Sequence, residues 1–384
     1  MSSSRRIVCV VDPLGPGAGA ATLSACAVAV RALRQSLGVG RVEVGVLGTP
    51  DAHQLAVECG LSPAWRIPIL GKFTRIAAQT LSRLAQRDHP TVVVAWGSRA
   101  AILASHALQD TPLVVALDAP CESKHVRNAE FAEVLCMGDA LADHACRSGW
   151  LPIRIRSVLA PMPEWSQVPS LDRNSLRRNW NATDTDWVVG VLPPSGQFSD
   201  ALFAFHAMGR FALAGHGAHL VLDPTMRNAG EVRSIARKLK LNERVHFDSS
   251  LKCPWKISPA VDVWMSLADL HHDESALHPC MAAALGVPLI TGTGSFAASG
   301  IEHQVDGIIA RPGINAFAFE MIQAAKNPSL LASMASAARV RYGSQSVRQG
   351  FSIAIQECVA RACPGIFSQT AGLPADSKLA AAST

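Results

Sequence analysis

Short apolar segments that alternate with helical stretches constrain the fold of this chain more than any other feature. The first is the run I-V-C-V-V at Ile7–Val11, and β-branched runs recur at Val42–Leu47 and Thr91–Ala95. Strands that are apolar along their whole length, rather than at every second residue, are typical of parallel sheets buried on both faces. The alternation therefore predicts an α/β protein whose helices cover both sides of a parallel sheet.

The pattern occurs twice, with a Pro- and Ser-rich stretch at 160–186 between the two halves. Further strands are predicted at Pro112–Leu117, Glu133–Cys136, Ile153–Leu159, Trp187–Leu192, His219–Asp223, Val245–Phe247, Val261–Met265, Leu289–Thr291 and Gly307–Arg311. A chain of 384 residues is long enough for two or three domains. We expect a first doubly wound domain at 1–165, a linker at 166–185, a second such domain at 186–345, a C-terminal helix at 346–367 and a disordered tail at 368–384.

Composition excludes several classes of protein. The net charge of +5 comes without the Lys/Arg clusters of a nucleic-acid-binding surface. The ten cysteines include no C-x-x-C pair, and several lie within apolar runs, so we interpret them as buried thiols of a cytoplasmic protein rather than as ligands of a zinc ribbon. No apolar run approaches the length of about 18 residues that a membrane-spanning helix needs.

One stretch of the second half combines a helix signal with two carboxylates. Residues Ala282–Ile290 read A-A-A-L-G-V-P-L-I, which predicts a helix of small residues that ends at Gly286 and leads into a strand. Asp273 and Glu274 lie just before this helix. A helix N-terminus carries unpaired N–H groups and partial positive charge, so it is suited to a phosphorylated ligand.

Several spaced motifs of the second half resemble one enzyme family. They are L-R-R-N-W-N-A-T-D-T-D-W-V-V-G-V-L, A-R-K-L-K-L-N-E-R-V-H-F-D, A-A-A-L-G-V-P-L-I and H-Q-V-D-G-I-I-A-R-P-G. In these motifs the chain is similar to the retaining GT-B glycosyltransferases (group 1, family four), over roughly Ile7 to Pro364. The resemblance implies two Rossmann-like domains facing a cleft, a C-terminal helix that packs back toward the first domain, a nucleotide-sugar donor in the second domain and an acceptor in the first. It implies neither a metal ion nor a resident cofactor.

The resemblance also implies roles for residues that match the family's donor motifs. The family's first glutamate, near the transferred sugar, corresponds to Asp273, with Glu274 as a neighbouring candidate. The second glutamate, which binds the ribose, corresponds to Met281, whose thioether is only a weak acceptor. The family's diphosphate-binding arginine and lysine correspond to Val191 and Gly196. Gln197 beside the latter offers hydrogen bonds without charge.

Other candidates complete the predicted site. Arg227 is placed to supply a missing cation, while Thr291, Thr293 and Gly294 follow a strand of the second domain and offer groups for phosphate or sugar. Asp118 stands where the family has a first-domain histidine. Gly17 and Gly19 lie in an acceptor-side loop, L-G-P-G-A-G-A, that follows the first strand.

Each of these assignments has a simpler structural alternative. Met281 suits a helix core, and Asp273 or Asp118 suits a cap. The glycines of the first loop suit close packing of helix on strand, and T-G-T-G-S at Thr291–Ser295 suits a plain turn. His271 and His272 next to Asp273 suggest a metal site, but adjacent side chains point in different directions.

Two functions follow. The first is retaining transfer of a sugar from a nucleotide-sugar to an unknown glycan, lipid-linked or small-molecule acceptor, compatible with peripheral membrane contact but not with nucleic acid as a partner. The alternative is a GT-B-fold protein that has lost catalysis and acts as a binding or assembly subunit, because the donor-site Arg, Lys and ribose Glu are replaced. An epimerase or phosphorylase on the same fold is the weaker third hypothesis.

Overall fold

A computed structural model describes residues 6–13, 19–69, 74–162, 172–192, 201–267 and 276–367. Within them, the first sheet consists of seven parallel strands in the order β3-β2-β1-β4-β5-β6-β7. Its strands are β1 Ile7–Val11, β2 Val42–Leu47, β3 Trp65–Ile67, β4 Val92–Trp96, β5 Leu113–Leu117, β6 Glu133–Met137 and β7 Ile155–Val158. Its helices are α1 Gly19–Leu37, α2 Pro50–Glu58, α3 Thr74–Asp88, α4 Ser98–Ala107 and α5 Asp139–Arg147.

The second sheet has six described parallel strands in the order β10-β9-β8-β11-β12-β13. They are β8 Trp187–Val191, β9 Ala218–Leu222, β10 Val245–Phe247, β11 Val263–Ser266, β12 Leu289–Gly292 and β13 Ile308–Ala310. The remaining helices are α6 Arg173–Asn179, α7 Ala201–Leu213, α8 Ala229–Lys238, α9 His278–Leu285, α10 Ile314–Ala325, α11 Pro328–Gly343 and α12 Gln345–Ala362. Two parallel sheets covered by helices confirm the predicted α/β class.

Three local features differ from the sequence expectation. Helix α2 and strand β3 were not predicted, because α2 has only nine residues and β3 only three, W-R-I. The sequence predicts a helix at Ser199–Gly209, but α7 continues past Gly209. It does so because Phe211, in its last turn, is fully buried, and this burial outweighs the cost of about 1 kcal/mol for a glycine within a helix.

Glycine is required at Gly19 and at Gly286 for two different structural reasons. Gly286 adopts a left-handed conformation, φ 70°, and ends α9 at the predicted position. Gly19 opens α1, and a Cβ atom there would lie 2.5 Å from the carbonyl oxygen of Pro13. Close packing of α1 on the end of β1 therefore accounts for Gly19, as the structural alternative holds.

Helix α12 crosses from the second domain onto the first, as expected for the C-terminal helix. It lies against α1 and against strands β4 to β7. Its residue Phe351 is buried and packs on Trp96 at the end of β4, with ring centroids 6.3 Å apart. One buried apolar cluster runs from the first sheet through α12 to the α9 side of the second sheet.

A buried carboxylate fixes α12 on the first sheet. Glu133, the first residue of β6, is 3% exposed and accepts hydrogen bonds from two arginines. Arg154 Nη1 donates to its Oε1 at 2.9 Å, and Arg361 Nε, from α12, donates to its Oε2 at 2.7 Å. Two cations offset the cost of burying one carboxylate.

A second buried ion pair holds the linker helix. Arg177 of α6 is 2% exposed, and its Nη1 donates to Asp262 Oδ2 at 3.0 Å and to the carbonyl of Ala260. Asp262 also accepts from Arg173 and from the backbone N–H of Val188. The sequence predicts a short helix at Leu171–Trp180 in the linker, and α6 in this stretch is attached to the start of β8 and β11.

We predict that Glu133→Gln destabilises the protein by about 2–3 kcal/mol, because two arginines lose the carboxylate that offsets their charge. Urea unfolding at neutral pH measures the loss. Glu130→Gln, an exposed neighbour, is the matched control and should change the free energy of unfolding by less than about 0.5 kcal/mol. Equal effects of the two substitutions would contradict this account of α12.

A stacked histidine pair lies on two adjacent strands of the second sheet. His219 and His246 lie on adjacent strands with ring nitrogens 3.1 Å apart, and Trp180 stacks on His246. Burial, and then the neighbouring His219, lower the pKa of His246 from 6.5 to about 4, and burial also lowers the pKa of His219. The unfolded chain therefore binds protons that the folded chain does not as pH falls from about 6.5 toward 4.

We predict that stability decreases over this interval, with His246 contributing about 1–2 kcal/mol after allowance for its partial exposure. Urea unfolding of the protein at pH 7.5, 5.5 and 4.5 measures the trend. His246→Gln, which can still hydrogen-bond to His219, should reduce the slope, whereas His125→Gln at an exposed position should not. An unchanged slope in His246→Gln would assign the acid sensitivity to other groups.

Candidate functional site

The carboxyl ends of the two sheets face each other. The backbone N–H of Ala276, just before α9, donates to the carbonyl oxygen of Asp118, just after β5, at 2.9 Å. Phe296, in the loop after β12, packs edge-on against His144 of α5 with centroids 5.5 Å apart. In open parallel sheets ligands bind beyond the carboxyl ends of the strands, so this junction is the candidate site.

Asp118 is the predicted residue that the structure places most clearly at this junction. It is 3% exposed, and the hydroxyl of Thr22, from α1, donates to its Oδ2. Its Oδ1 is buried and has no hydrogen-bond partner among the described residues. Burial raises the pKa of Asp118 to about 6, against the hydrogen bond from Thr22, and Asp12 adds to the rise. A carboxyl group with one unused oxygen and a pKa near neutrality is typical of functional sites.

A second carboxylate on this edge was not predicted from the sequence. Asp12 follows β1 as Asp118 follows β5, and it is also 3% exposed. Arg99, in the first turn of α4, binds it with two hydrogen bonds, Nε to Oδ2 at 2.7 Å and Nη2 to Oδ1 at 2.6 Å. Two sequence features could have pointed to this pair: an aspartate directly after a buried strand, and the arginine of W-G-S-R. Nothing in the sequence shows that these two residues, 87 positions apart, are in contact.

On the second domain, small polar side chains gather where β11 and β12 end. Ser266 Oγ lies 2.6 Å from His278 Nδ1, at the start of α9, and both are buried. Thr291 Oγ1 lies 3.0 Å from Ser295 Oγ, which accepts from the backbone N–H of Ala298. Of these four residues only Thr291 was predicted, because the others have no charge and no spacing that marks them.

The loop after β12 presents two more predicted residues to solvent. Thr293 and Gly294 are exposed, and Gly294 has φ 89°. Thr293 is held by its own backbone N–H and hydroxyl, which both donate to the carbonyl of Ala310, at 2.8 and 3.0 Å. This turn is therefore anchored to β13 and leaves the Gly294 backbone available.

Arg227 and Met281 lie in contrasting surroundings. Arg227 is exposed in the loop after β9, and its carbonyl oxygen accepts from the N–H of Ala201 at the start of α7. Met281 is 1% exposed and packs in the apolar core beneath α9. Val191, at the position of the family's arginine, is fully buried. The core alternative for Met281 thus matches its surroundings, although its assignment to the donor site stays a prediction.

Five predicted site residues lie outside the described residues: Gly17, Gly196, Gln197, Asp273 and Glu274. The adjacent His271 and His272, the suggested metal ligands, lie there too, as does the tail at 368–384. Within the described ranges, no three His, Cys, Asp or Glu side chains are grouped as a metal site would require. No described helix is long and apolar enough to cross a membrane.

Solved structures share this architecture over nearly the whole chain. The Anabaena protein Alr3699/HepE, in complex with UDP and glucose, is 17% identical, with a TM-score of 0.64 over 93% of this chain and 98% of that one. A glycosyltransferase from Rickettsia africae is 13% identical, with a TM-score of 0.63 over 96% and 100%. A putative UDP-N-acetylglucosamine 2-epimerase from Listeria monocytogenes is 12% identical, with a TM-score of 0.66 over 96% and 98%.

The chain has the GT-B fold. The fold implied by the motif resemblance is thereby confirmed. No family model and no curated protein matches the sequence. At these identities the likeness concerns the fold, and the chemistry depends on the residues at the junction.

We predict that Asp118→Asn stabilises the protein at pH 7.5 by about 3 kcal/mol, since each unit of pKa shift corresponds to about 1.4 kcal/mol. The folded state holds a proton that the unfolded chain has released, so stability falls as pH rises from about 3.8 to about 6. Urea unfolding at pH 7.5 and 4.5 tests this, and the gain should shrink at the lower pH. Asp143→Asn, on the exposed side of α5, is the control. The same gain at both pH values would show that the Asp118 carboxyl is not strained by burial.

Proposed function

We propose that this protein is a glycosyltransferase that transfers a sugar from a nucleotide-sugar donor to an acceptor held by the first domain. The observation that carries the proposal is the Asp118 carboxyl, buried where the two sheet edges meet, with Oδ1 unused among the described residues. Positive charge develops at the anomeric carbon in glycosyl transfer. An ionised carboxylate in a dry site stabilises that charge strongly, and a pKa of about 6 leaves Asp118 largely ionised at neutral pH.

The donor side of the junction offers neutral hydrogen-bond donors. The start of α9 and the loop after β12 bring backbone N–H groups to the carboxyl end of the sheet, where the hydroxyls of Thr291 and Ser295 are buried and lie 3.0 Å from each other. Such groups bind phosphate at helix N-termini and tight turns. Arg227 is the exposed cation that we propose for the diphosphate, with Gln197, Gly196, Thr293 and Gly294 as neighbours.

The finer points of the proposal follow from the motif resemblance. Asp273, or Glu274 beside it, would bind the sugar, and transfer would retain the anomeric configuration. The solved complexes of the Anabaena protein with UDP and with UDP-glucose support a nucleotide-sugar as the donor class. The acceptor would be a glycan, a lipid-linked sugar or a small molecule.

A specific observation also favours a second function, that of a binding or assembly subunit without catalysis. Val191 and Met281 are buried apolar residues at positions where the family has an arginine and a ribose-binding glutamate. Removing one group that stabilises transition-state charge costs about 3 kcal/mol, and two losses without replacement would leave little activity.

We predict that the full-length protein binds at least one nucleotide-sugar with a Kd in the micromolar to millimolar range. Isothermal titration with UDP-glucose, UDP-N-acetylglucosamine, GDP-mannose and ADP-glucose measures it, and release of nucleoside diphosphate measures transfer. Asp118→Asn should lower kcat about 100-fold or more while donor affinity changes little, whereas Asp143→Asn should leave both unchanged.

The outcomes separate the two functions. Binding with transfer that Asp118→Asn abolishes supports the enzyme. Binding without transfer to any acceptor supports the non-catalytic subunit. Absence of binding by every donor would overturn the proposed function, and transfer unaffected by Asp118→Asn would overturn the role of Asp118.

A further inference from the structure

A cavity lies at the end of the first sheet that is opposite the candidate site. Its volume is about 370 Å³. Leu113, Ala132 and Arg154 line it, and they lie at or just before the first residues of β5, β6 and β7. The cavity therefore opens at the amino ends of the strands, whereas Asp12 and Asp118 lie at the carboxyl ends. Cavities of this size hold small organic ligands.

Three arginines from separate parts of the chain converge on this cavity. They are Arg127, Arg154 and Arg361, and Asp110 is the one acidic residue on its wall. Arg154 and Arg361 share the carboxylate of Glu133 behind the wall. Even with Glu133 counted, three positive charges face two negative ones. The excess favours an anionic ligand.

Among the three arginines, Arg127 is the one whose guanidinium has no partner within the described residues. Its backbone N–H donates to Ser105 Oγ at 3.1 Å, which fixes the loop. Within the described ranges its guanidinium makes no hydrogen bond or ion pair. Arg154 and Arg361 use part of their N–H groups on Glu133 and on the carbonyls of Phe131 and Ile153. Guanidinium groups of this kind bind phosphate oxygens with charge-assisted hydrogen bonds.

An exposed aromatic ring stands beside these arginines. Phe131 lines the same cavity and is 66% exposed, and its carbonyl accepts from Arg154 Nη1 at 3.3 Å. A ring of this size next to a cationic cavity offers an apolar face for the organic part of a ligand.

We propose that this cavity binds a small organic phosphate ester, with the phosphate on Arg127, Arg154 and Arg361 and the organic part against Phe131. The site is independent of the proposed sugar transfer. Because Arg361 belongs to α12 and the other groups belong to the first domain, a bound phosphate joins the two. Binding therefore stabilises the attachment of α12 to the first sheet.

The test uses phenyl phosphate and inorganic phosphate with the full-length protein at constant ionic strength. Isothermal titration should show binding of phenyl phosphate, and hydrogen exchange in α12 should slow when it is bound. Arg127→Gln should weaken binding about tenfold, the equivalent of one charge-assisted hydrogen bond. Arg237→Gln, an exposed arginine on α8, is the matched control and should leave affinity unchanged.

Phe131→Ala separates the two halves of the site. It should weaken phenyl phosphate and leave inorganic phosphate unchanged. Among the described residues, the side chains of Arg127 and Phe131 make no hydrogen bond, ion pair or ring contact, so both variants should keep the unfolding midpoint of the unliganded protein. No binding of either probe, or binding that Arg127→Gln leaves intact, would overturn the proposal. Binding that Arg227→Gln weakens and Arg127→Gln does not would place the phosphate in the cleft instead and would also overturn it.

Discussion

The buried carboxylate of Glu133 is the interaction on which the arrangement of the two sheets depends most. It begins β6, which lies next to the edge strand β7 of the first sheet, and it binds Arg361 near the end of α12, a helix that directly follows α11 of the second domain. Burial of Phe351 on Trp96 supplies the apolar part of the same attachment. At the other crossing, Arg177 and Asp262 attach α6 to the second sheet. At each crossing between the two sheets, an arginine and a carboxylate thus form an ion pair in which one partner is buried.

The polar groups of the structure have opposite effects on its pH dependence. Asp118 lowers stability as pH rises from about 3.8 to 6, because folding keeps its proton. His219 and His246 lower stability as pH falls through nearly the same interval, because folding keeps them neutral. The two contributions partly offset each other between about pH 4 and 6. The histidine pair is explained by packing of α6 on the second sheet. Asp118 is held by Thr22 through one oxygen only, and its buried Oδ1 has no partner among the described residues, which is why we propose a functional role for it.

The sequence predicted the fold well and the site only in part, for a physical reason. Continuous apolar strands such as β1 and the glycine end of α9 are local signals, set by residues adjacent in the chain. The Asp12–Arg99 pair and the Thr22–Asp118 contact join residues far apart in sequence, and neither residue type is unusual where it stands. Short elements such as β3 carry too few residues for a pattern. The motif resemblance predicted residues at the ends of strands. The fold then shows which strand ends of the first domain lie against which strand ends of the second.

At the predicted donor site, two positions at which the family has charged residues are occupied here by buried apolar residues, Val191 and Met281. A buried Val191 and Met281 have apolar neighbours, so a charged residue at either position would require rebuilding of the core beneath α9 and β8. The change from the family pattern is therefore built into the packing, and the chain cannot regain those charges by single substitutions. Among the described residues of the second domain, backbone N–H groups, hydroxyls such as that of Thr291 and the exposed Arg227 are the groups that we propose for a phosphate in the cleft. Neutral donors bind an anion more weakly than cations do, but in a dry site they are already oriented, and orientation before binding is what makes such groups effective. Under the proposed function, the Asp118 carboxylate of the first domain would stabilise positive charge at the anomeric carbon, while the donors of the second domain would bind the negative charge of the leaving diphosphate.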